Sequence, residues 1–261
     1  MQSLNSKRSA LVVAHPGHEL RVYGWLEASR PRVYVMTDGS GRTGHSRLGS
    51  TARILDDVNA TTGAMFGRFT DQSVYKAILL HDCSFFTAIA RELADEFVRE
   101  GIDYAAGDAE EGYNTTHDIC RLVLNAAVEI ASAERGMQIG NYDFLLTGRP
   151  AECPDGQSAR AIWLQLDETT MARKLTAASN YPELAAEVEM AIKENGESAF
   201  RIECLRPVEG VSERFATEEP YYELYGRQQV AAGHYEKIIS YGEHIRPIAA
   251  ALRNHVRGAS G

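Results

Sequence analysis

Two short apolar runs near the start of the chain, "SALVVAH" and "RVYVM", each end in small and polar residues. Runs of this length without alternation are the signature of central parallel strands buried on both faces. Between them, Leu20, Tyr23 and Leu26 recur at helical spacing, so Ser9 to Met36 reads as a β-α-β unit with a right-handed crossover. The second run leads into a glycine-rich loop, "TDGSGRTG".

Further along, "STARILDDVNATTG" predicts a helix with Ser50 or Thr51 as its N-cap and Gly63 as its stop. "DCSFFTAIARELADEFVREG" predicts another, ending at Gly101. "IDYAAGDA" is a short strand leaving through Gly107 and Asp108 into "EEGYNTTHD". A strong helical stripe follows through Ile119, Leu122, Val123, Ala126, Ala127 and Ile130, and "YDFLLTG" and "ARAIWLQLD" then read as strands. From Glu168 the pattern turns helical, with a pair divided at Pro182, a strand "AFRIECLRPV", and helices expected over Tyr221 to Ala232 and Tyr235 to Arg257. The fold class this predicts is α/β, a Rossmann-like, mostly parallel sheet with helices on both faces and a helical C-terminal region. Residues 1–167 form the core and 168–261 a mainly helical part packed on it, in one continuous domain.

Composition narrows the function classes. The 261 residues carry 27 Lys and Arg against 36 Asp and Glu, a net charge of −9, which argues against nucleic acid or an anionic membrane as the main partner. No stretch approaches the roughly 20 apolar residues of a membrane span, and the first segment is too short in apolar residues for a signal peptide. The four cysteines are widely spaced without a CxxC pair and read as reduced thiols of a cytoplasmic protein.

In open parallel sheets ligands bind beyond the carboxyl ends of the strands, so three predicted strand tips belong together: "AHPGHE", "TDGSGRTG" and "GDAEEGYNTTHD". They gather His15, His18, Asp38, Asp108, Glu111 and His117. Imidazole and carboxylate are ordinary zinc ligands, and a catalytic zinc keeps three of them plus an open position. His15 and His18, separated by a Pro-Gly turn, can converge on one ion, and His117 at a helix start is the best-placed third ligand. The glycine-rich loop matches neither the GxGxxG nor the GxxxxGK[ST] phosphate fingerprint, and there is no G-x-S-x-G elbow.

Taken together, "LVVAHPGHE", "VYVMTDGSG", "STARILDDVNATTG" and "GYNTTHD" make residues 9 to 130 similar to the LmbE/PIG-L family of metal-dependent N-acetylglucosaminyl deacetylases and related amidases. The resemblance implies His15, His18 and His117 as metal ligands, with His18 standing where the family's AHPDDE motif has its second aspartate. It places Arg53 and Asn114 as substrate-binding residues, and Tyr113 near a carbonyl-polarising tyrosine, here the expected oxyanion donor. It implies zinc as the cofactor and hydrolysis of an N-acyl, most simply N-acetyl, bond on a sugar-like small molecule. The departure is Gly17, which replaces the family's general base. Asp38 and Glu111 are the residues expected to take that role. The alternative is a non-hydrolytic protein that keeps the pocket to hold a sugar or sugar nucleotide. Self-association as a homo-oligomer is the ordinary expectation for such a small-molecule enzyme.

Overall fold

A computed structural model describes residues 7–41, 44–208, 215 and 218–259. Seven strands form one sheet in the order β3-β2-β1-β4-β5-β7-β6, from β1 (Ser9–Val13), β2 (Arg32–Thr37), β3 (Thr61–Phe69), β4 (Tyr104–Asp108), β5 (Gly140–Phe144), β6 (Ile162–Gln165) and β7 (Ile202–Pro207). The first five in that order are mutually parallel, and β7 runs antiparallel between β5 and β6. The helices are α1 (Tyr23–Ser29), α2 (Leu48–Val58), α3 (Asp71–Leu79), α4 (Cys83–Glu100), α5 (Thr115–Arg135), α6 (Glu168–Ser179), α7 (Ala185–Asn195), α8 (Tyr221–Ala231) and α9 (Arg246–Ala259). The chain is thus α/β with helices on both faces.

Strand pleating explains why the first runs are apolar throughout. In β1 and β2, Leu11, Val13, Val33 and Val35 face the core shared with α1, α2 and α6. Ala10, Val12, Tyr34 and Met36 face the opposite core, closed by α4, α5 and α9. Every position of β1, and of β2 after Arg32, is therefore buried, and no polar alternation survives. Chain order reverses between β1 and β4, whose register pairs Val12 with Gly107. That is the topological switch point, and its crevice opens beyond Val13 and Asp108.

Two parts of the pattern resolve differently from expectation. The helix after the glycine-rich loop begins at Leu48 with Arg47 at its N-cap, so Ser50 and Thr51 lie inside it. It ends at Asn59, which takes the left-handed conformation, and not at Gly63. Residues 61–69 then form the edge strand β3, whose largely solvent-facing side chains and shifted register gave no apolar signal. The last expected helix is also shorter: a π-helical turn over Tyr241–Ile245 precedes α9, and residues 233–240 are not helical. Residues 42 and 43 of the glycine-rich loop lie outside the described residues. The four cysteines are free, and among the described residues no helix is long and apolar enough to cross a membrane.

A buried ion pair ties the C-terminal part into the sheet. Lys174 Nζ on α6 lies 2.8 Å from Glu203 Oε1 on β7, with side chains 5% and 1% exposed. The same carboxylate accepts the Gly24 and Trp25 amides at the start of α1 (2.9 and 2.8 Å), so β7, α6 and α1 share one charge centre. Removing one member strands the other in a dry site. Lys174→Met is expected to lower unfolding stability by about 3 to 5 kcal/mol in a urea titration. A loss below about 1 kcal/mol would show that Glu203 is solvated or protonated at little cost.

Candidate functional site

The turn after β1 carries His15, Pro16, Gly17 and His18 directly into a 3-10 turn over His18–Val22. Gly17 has φ 105°, a left-handed conformation that favours glycine and reverses the chain between the two histidines. Glu19 fastens this turn from beneath. It is fully buried, accepts the Gly17 amide (2.8 Å) and receives the Thr51 hydroxyl from α2 (2.7 Å). Burial raises its pKa against the pull of those bonds.

The third histidine arrives on α5. Asn114 caps that helix by accepting the Thr116 amide at 2.8 Å, which places His117 in the first turn, beside the β1 tip. Ring centroids then lie 5.4 Å apart for His15 and His18, 5.0 Å for His15 and His117, and 4.6 Å for His18 and His117, all edge to face. Residues separated by the whole β1-to-β4 crossover thus form one imidazole cluster at the switch point.

The hydrogen bonds around the cluster set the tautomers. His15 Nδ1 is 2.7 Å from Thr37 Oγ1, whose own proton goes to the Ala14 carbonyl (3.0 Å), so Nδ1 must be the donor. Asp71 Oδ1, at the start of α3, lies 3.0 Å from the same nitrogen. His18 Nδ1 sits 3.0 Å from both oxygens of Asp108, which also accepts the Ala14 amide at 2.7 Å. Both rings, when neutral, therefore carry the proton on Nδ1 and leave Nε2 with a free lone pair. His117 Nδ1 is buried with no partner. Burial lowers the pKa of His15, outweighing its contact with Asp71. Burial, then the neighbouring His18 and His15, holds His117 well below the usual histidine range. For Asp71, burial pushes upward but is overcome by His15, Thr37 and the Gly41 amide, leaving it well below the ordinary carboxylate range.

These residues suit a metal ion. Three imidazoles on a tetrahedral ion, with nitrogen ligands at about 2.0 to 2.1 Å, have ring centroids about 5 Å apart, the spacing of this cluster. Ligating histidines almost always donate their other N–H to a carboxylate or similar acceptor, as His15 and His18 do. The buried, unpartnered His117 Nδ1 is the kind of atom an ion or water satisfies. The nitrogens are not drawn fully together: among the described residues the only three ligating atoms mutually within 4.8 Å belong to His81, Glu243 and His244. That second set is the poorer candidate, because His244 Nδ1 accepts the Ser240 amide (3.1 Å) and so its neutral ring carries a proton on Nε2. In the first set the ring centroids have the spacing of ligands round an ion, and the Nδ1 atoms of His15 and His18 already have acceptors.

The other expected site residues are placed as follows. The Asp38 carboxylate accepts the Ser40 amide (3.0 Å) and hydroxyl (2.7 Å), and shapes the loop after β2. Glu111 accepts the Leu146 amide (2.8 Å) and the Thr147 amide (3.1 Å), and ties the loop after β4 to that after β5. Each carboxylate stabilises a turn on the same edge of the sheet as the cluster. Arg53 is exposed on α2 and donates to Ser50 Oγ, which in turn donates to Glu183 (both 2.8 Å). Asn114 is a helix cap, and the Tyr113 ring is stacked on Tyr221 at the surface. Arg47 was not singled out from sequence, yet its charge helps lower both His15 and His117. Its Nε donates to the Gly39 carbonyl at 2.9 Å, which holds it on the loop beside them. A Cβ on Gly17 would lie 2.2 Å from Leu184 Cδ1, so that side chain would have to shift, and 3.4 Å from Tyr181 Cζ.

No family model matches the sequence, and no curated protein matches it either. Solved structures do resemble it.

One is the A40926 pseudoaglycone deacetylase Dbv21, at 17% identity and a TM-score of 0.49, covering 79% of this chain and 99% of that one. Another is the zinc-inhibited form of the teicoplanin deacetylase Orf2, at 12% identity and 0.49 over the same shares. A triple mutant of the Orf2 deacetylase superposes at 0.48 with 14% identity, again over 79% and 99%.

Proposed function

We propose that this protein is a divalent-metal hydrolase, zinc being the expected ion, that cleaves an N-acyl bond on a sugar-like small molecule. The observation that carries the reading is the cluster of His15, His18 and His117 at the switch point, with the Nδ1 atoms of His15 and His18 held by Thr37, Asp71 and Asp108. The "AHPGHE" and "GYNTTHD" motifs support the same reading from sequence. When bound, such an ion supplies Lewis acidity toward an amide carbonyl and makes water nucleophilic near neutral pH.

The chain's own groups then have distinct tasks. His15, His18 and His117 hold the ion. Asp108 and Thr37 fix the tautomers that leave Nε2 of His18 and His15 available. Asp71, ionised and against His15, balances part of the positive charge. Arg47 contributes a fixed positive charge beside the cluster, suited to stabilising negative charge that develops on an acyl oxygen. No carboxylate stands at Gly17, so proton transfer to the leaving amine falls to another group, Asp38 and Glu111 on the neighbouring loops being the candidates.

The test is acetate release from N-acetylated amino sugars by protein stripped with a chelator and then reloaded. Activity is expected to vanish on stripping and return with zinc. Activity that survives complete metal removal would overturn the proposal. Asp108→Asn is expected to weaken zinc retention about 10- to 100-fold in a chelator competition, because the amide presents its NH2 or a weaker acceptor to His18 Nδ1.

A further inference from the structure

The connection from α6 to α7, residues 181–184, reaches back over the start of the chain. Helix α7 itself has no buried residue, yet Tyr181 just before it is fully buried. Its ring lies against the turn between His15 and His18, with Cζ 3.4 Å from the point that a Cβ on Gly17 would occupy. Its hydroxyl is 3.0 Å from Thr51 Oγ1 and 3.2 Å from the Arg47 carbonyl, both in the first turn of α2. Glu183 adds a second tie to that turn by accepting the Ser50 hydroxyl at 2.8 Å.

Counting protons shows which way these bonds run. Thr51 gives its one proton to Glu19 Oε1 at 2.7 Å, so between Thr51 and Tyr181 the phenol is the donor. That proton is shared between Thr51 Oγ1 and the Arg47 carbonyl. Burial, and then the Glu19 charge, raises the phenol pKa, so the hydroxyl keeps its proton. Glu19 in turn accepts the Gly17 amide at 2.8 Å. The Arg47 carbonyl and the Gly17 amide are therefore the two ends of one buried chain of hydrogen bonds, with Tyr181 at its centre.

What this chain holds in place is a charge beside the histidines. The Arg47 amide donates to the Asp38 carbonyl at 2.9 Å, and the Arg47 carbonyl also accepts the Ser50 amide at 3.2 Å. At the other end of the residue, Nε donates to the Gly39 carbonyl at 2.9 Å. A Cβ built on Gly39 would meet Arg47 Nε at 2.6 Å and Pro16 Cδ at 2.8 Å. The guanidinium and the Pro16 ring, next in sequence to His15, thus flank one point above Gly39. From there the Arg47 charge reaches His15 and His117.

Resting on the hydrolase reading above, we propose that Tyr181 is a positioning residue: its hydroxyl locks the Arg47 main chain to the His15–His18 turn and so fixes where the Arg47 charge stands relative to the histidine cluster. A charge stabilises a transition state most when it is already in place and has no reorganisation to undergo. Phenylalanine at 181 keeps the ring on Gly17 but leaves the Arg47 carbonyl one partner fewer, so the start of α2 is held less firmly. The loss falls on the step in which the acyl oxygen gains negative charge, which lowers kcat and leaves KM in place. Tyr181 touches no reacting atom and acts through Arg47.

The experiment uses the full-length chain as wild type, Tyr181→Phe, Arg47→Ala and the double variant. In metal-free protein, NMR follows hydrogen exchange at the arginine Nε–H groups. Exchange at Arg47 should be about tenfold faster in Tyr181→Phe, the effect of losing one hydrogen bond. Exchange at Arg206, whose Nε donates to Asp143 at 2.7 Å on the far strands, should not change. In zinc-loaded protein, acetate release from the methyl β-glycoside of N-acetylglucosamine should show kcat down about five- to tenfold in Tyr181→Phe, with KM within about twofold. In the Arg47→Ala background the same change should cost less than about twofold, because the residue it acts through is gone. Arg47 exchange unmoved, exchange accelerated equally at Arg206, an unchanged kcat, or the full loss persisting without Arg47 would each overturn the assignment. Faster Arg47 exchange with no acetate release from wild type would bring down the hydrolase reading alone. Wild-type acetate release with Arg47 exchange unmoved would bring down the positioning role alone.

Discussion

Purified His117→Ala protein is expected to lose its metal and its amidase activity together, with zinc affinity down by more than about a hundredfold. Removing a direct ligand exceeds the 10- to 100-fold loss typical of supporting residues. The effect on stability separates this outcome from simple misfolding. Ion binding to the native state adds about 4 kcal/mol at a thousandfold excess over Kd, so wild-type protein should show a clear rise in Tm with zinc. The variant should show none, while its zinc-free Tm stays close to that of zinc-free wild type. His117 Nδ1 has no partner in the protein, so little hydrogen bonding is lost with the ring. A variant that kept a full equivalent of zinc by elemental analysis would remove His117 from the site.

The second large effect concerns Gly17. Aspartate there would restore the carboxylate that the resemblance to the LmbE/PIG-L family leads one to expect, yet Gly17→Asp is expected to destabilise the protein and add no activity. The residue sits at φ 105°, and a Cβ would meet Leu184 Cδ1 at 2.2 Å. A left-handed backbone for a non-glycine costs about 1 to 2 kcal/mol and overpacking about 1 to 3, so a total loss of about 2 to 5 kcal/mol is expected in denaturant unfolding. Gly17→Asp combined with Leu184→Ala removes the clash and should recover part of that loss. A single variant as stable as wild type and newly active would show that Leu184 yields readily and that only the carboxylate was missing.

Much of this was legible in the chain because the relevant signals are local. The apolar runs of β1 and β2 and the stripe of α5 identify central elements, and strand-tip logic brings His15, His18 and His117 together without coordinates. Their partners were harder to see. Asp71 lies at the start of a helix whose preceding edge strand has no apolar pattern, so neither element was expected, and the contact with His15 could not be inferred. Asp108 was visible as a strand-end carboxylate, but not as the acceptor for His18 Nδ1. Asp38 and Glu111 read as loop carboxylates, and sequence gives no hint of the turn amides that each accepts. Leu184 over Gly17 is a contact between distant parts of the chain, set by how α6 and α7 lie on the sheet.

The register of β1 against β4 has a consequence for the proposed ion site. His15 and His18 follow β1, whereas Asp108 and His117 belong to the end of β4 and the helix behind it, so the proposed three-histidine set is complete only when the two halves meet. The pairing that joins the halves is non-local and parallel, a slow class of contact to form. On the proposed reading, metal capture would report on completed sheet assembly, and a nascent or partly unfolded chain would present only loose histidines. Substitutions deep in the β1–β4 seam, remote from any ligand, would on this basis register first as lost ion retention.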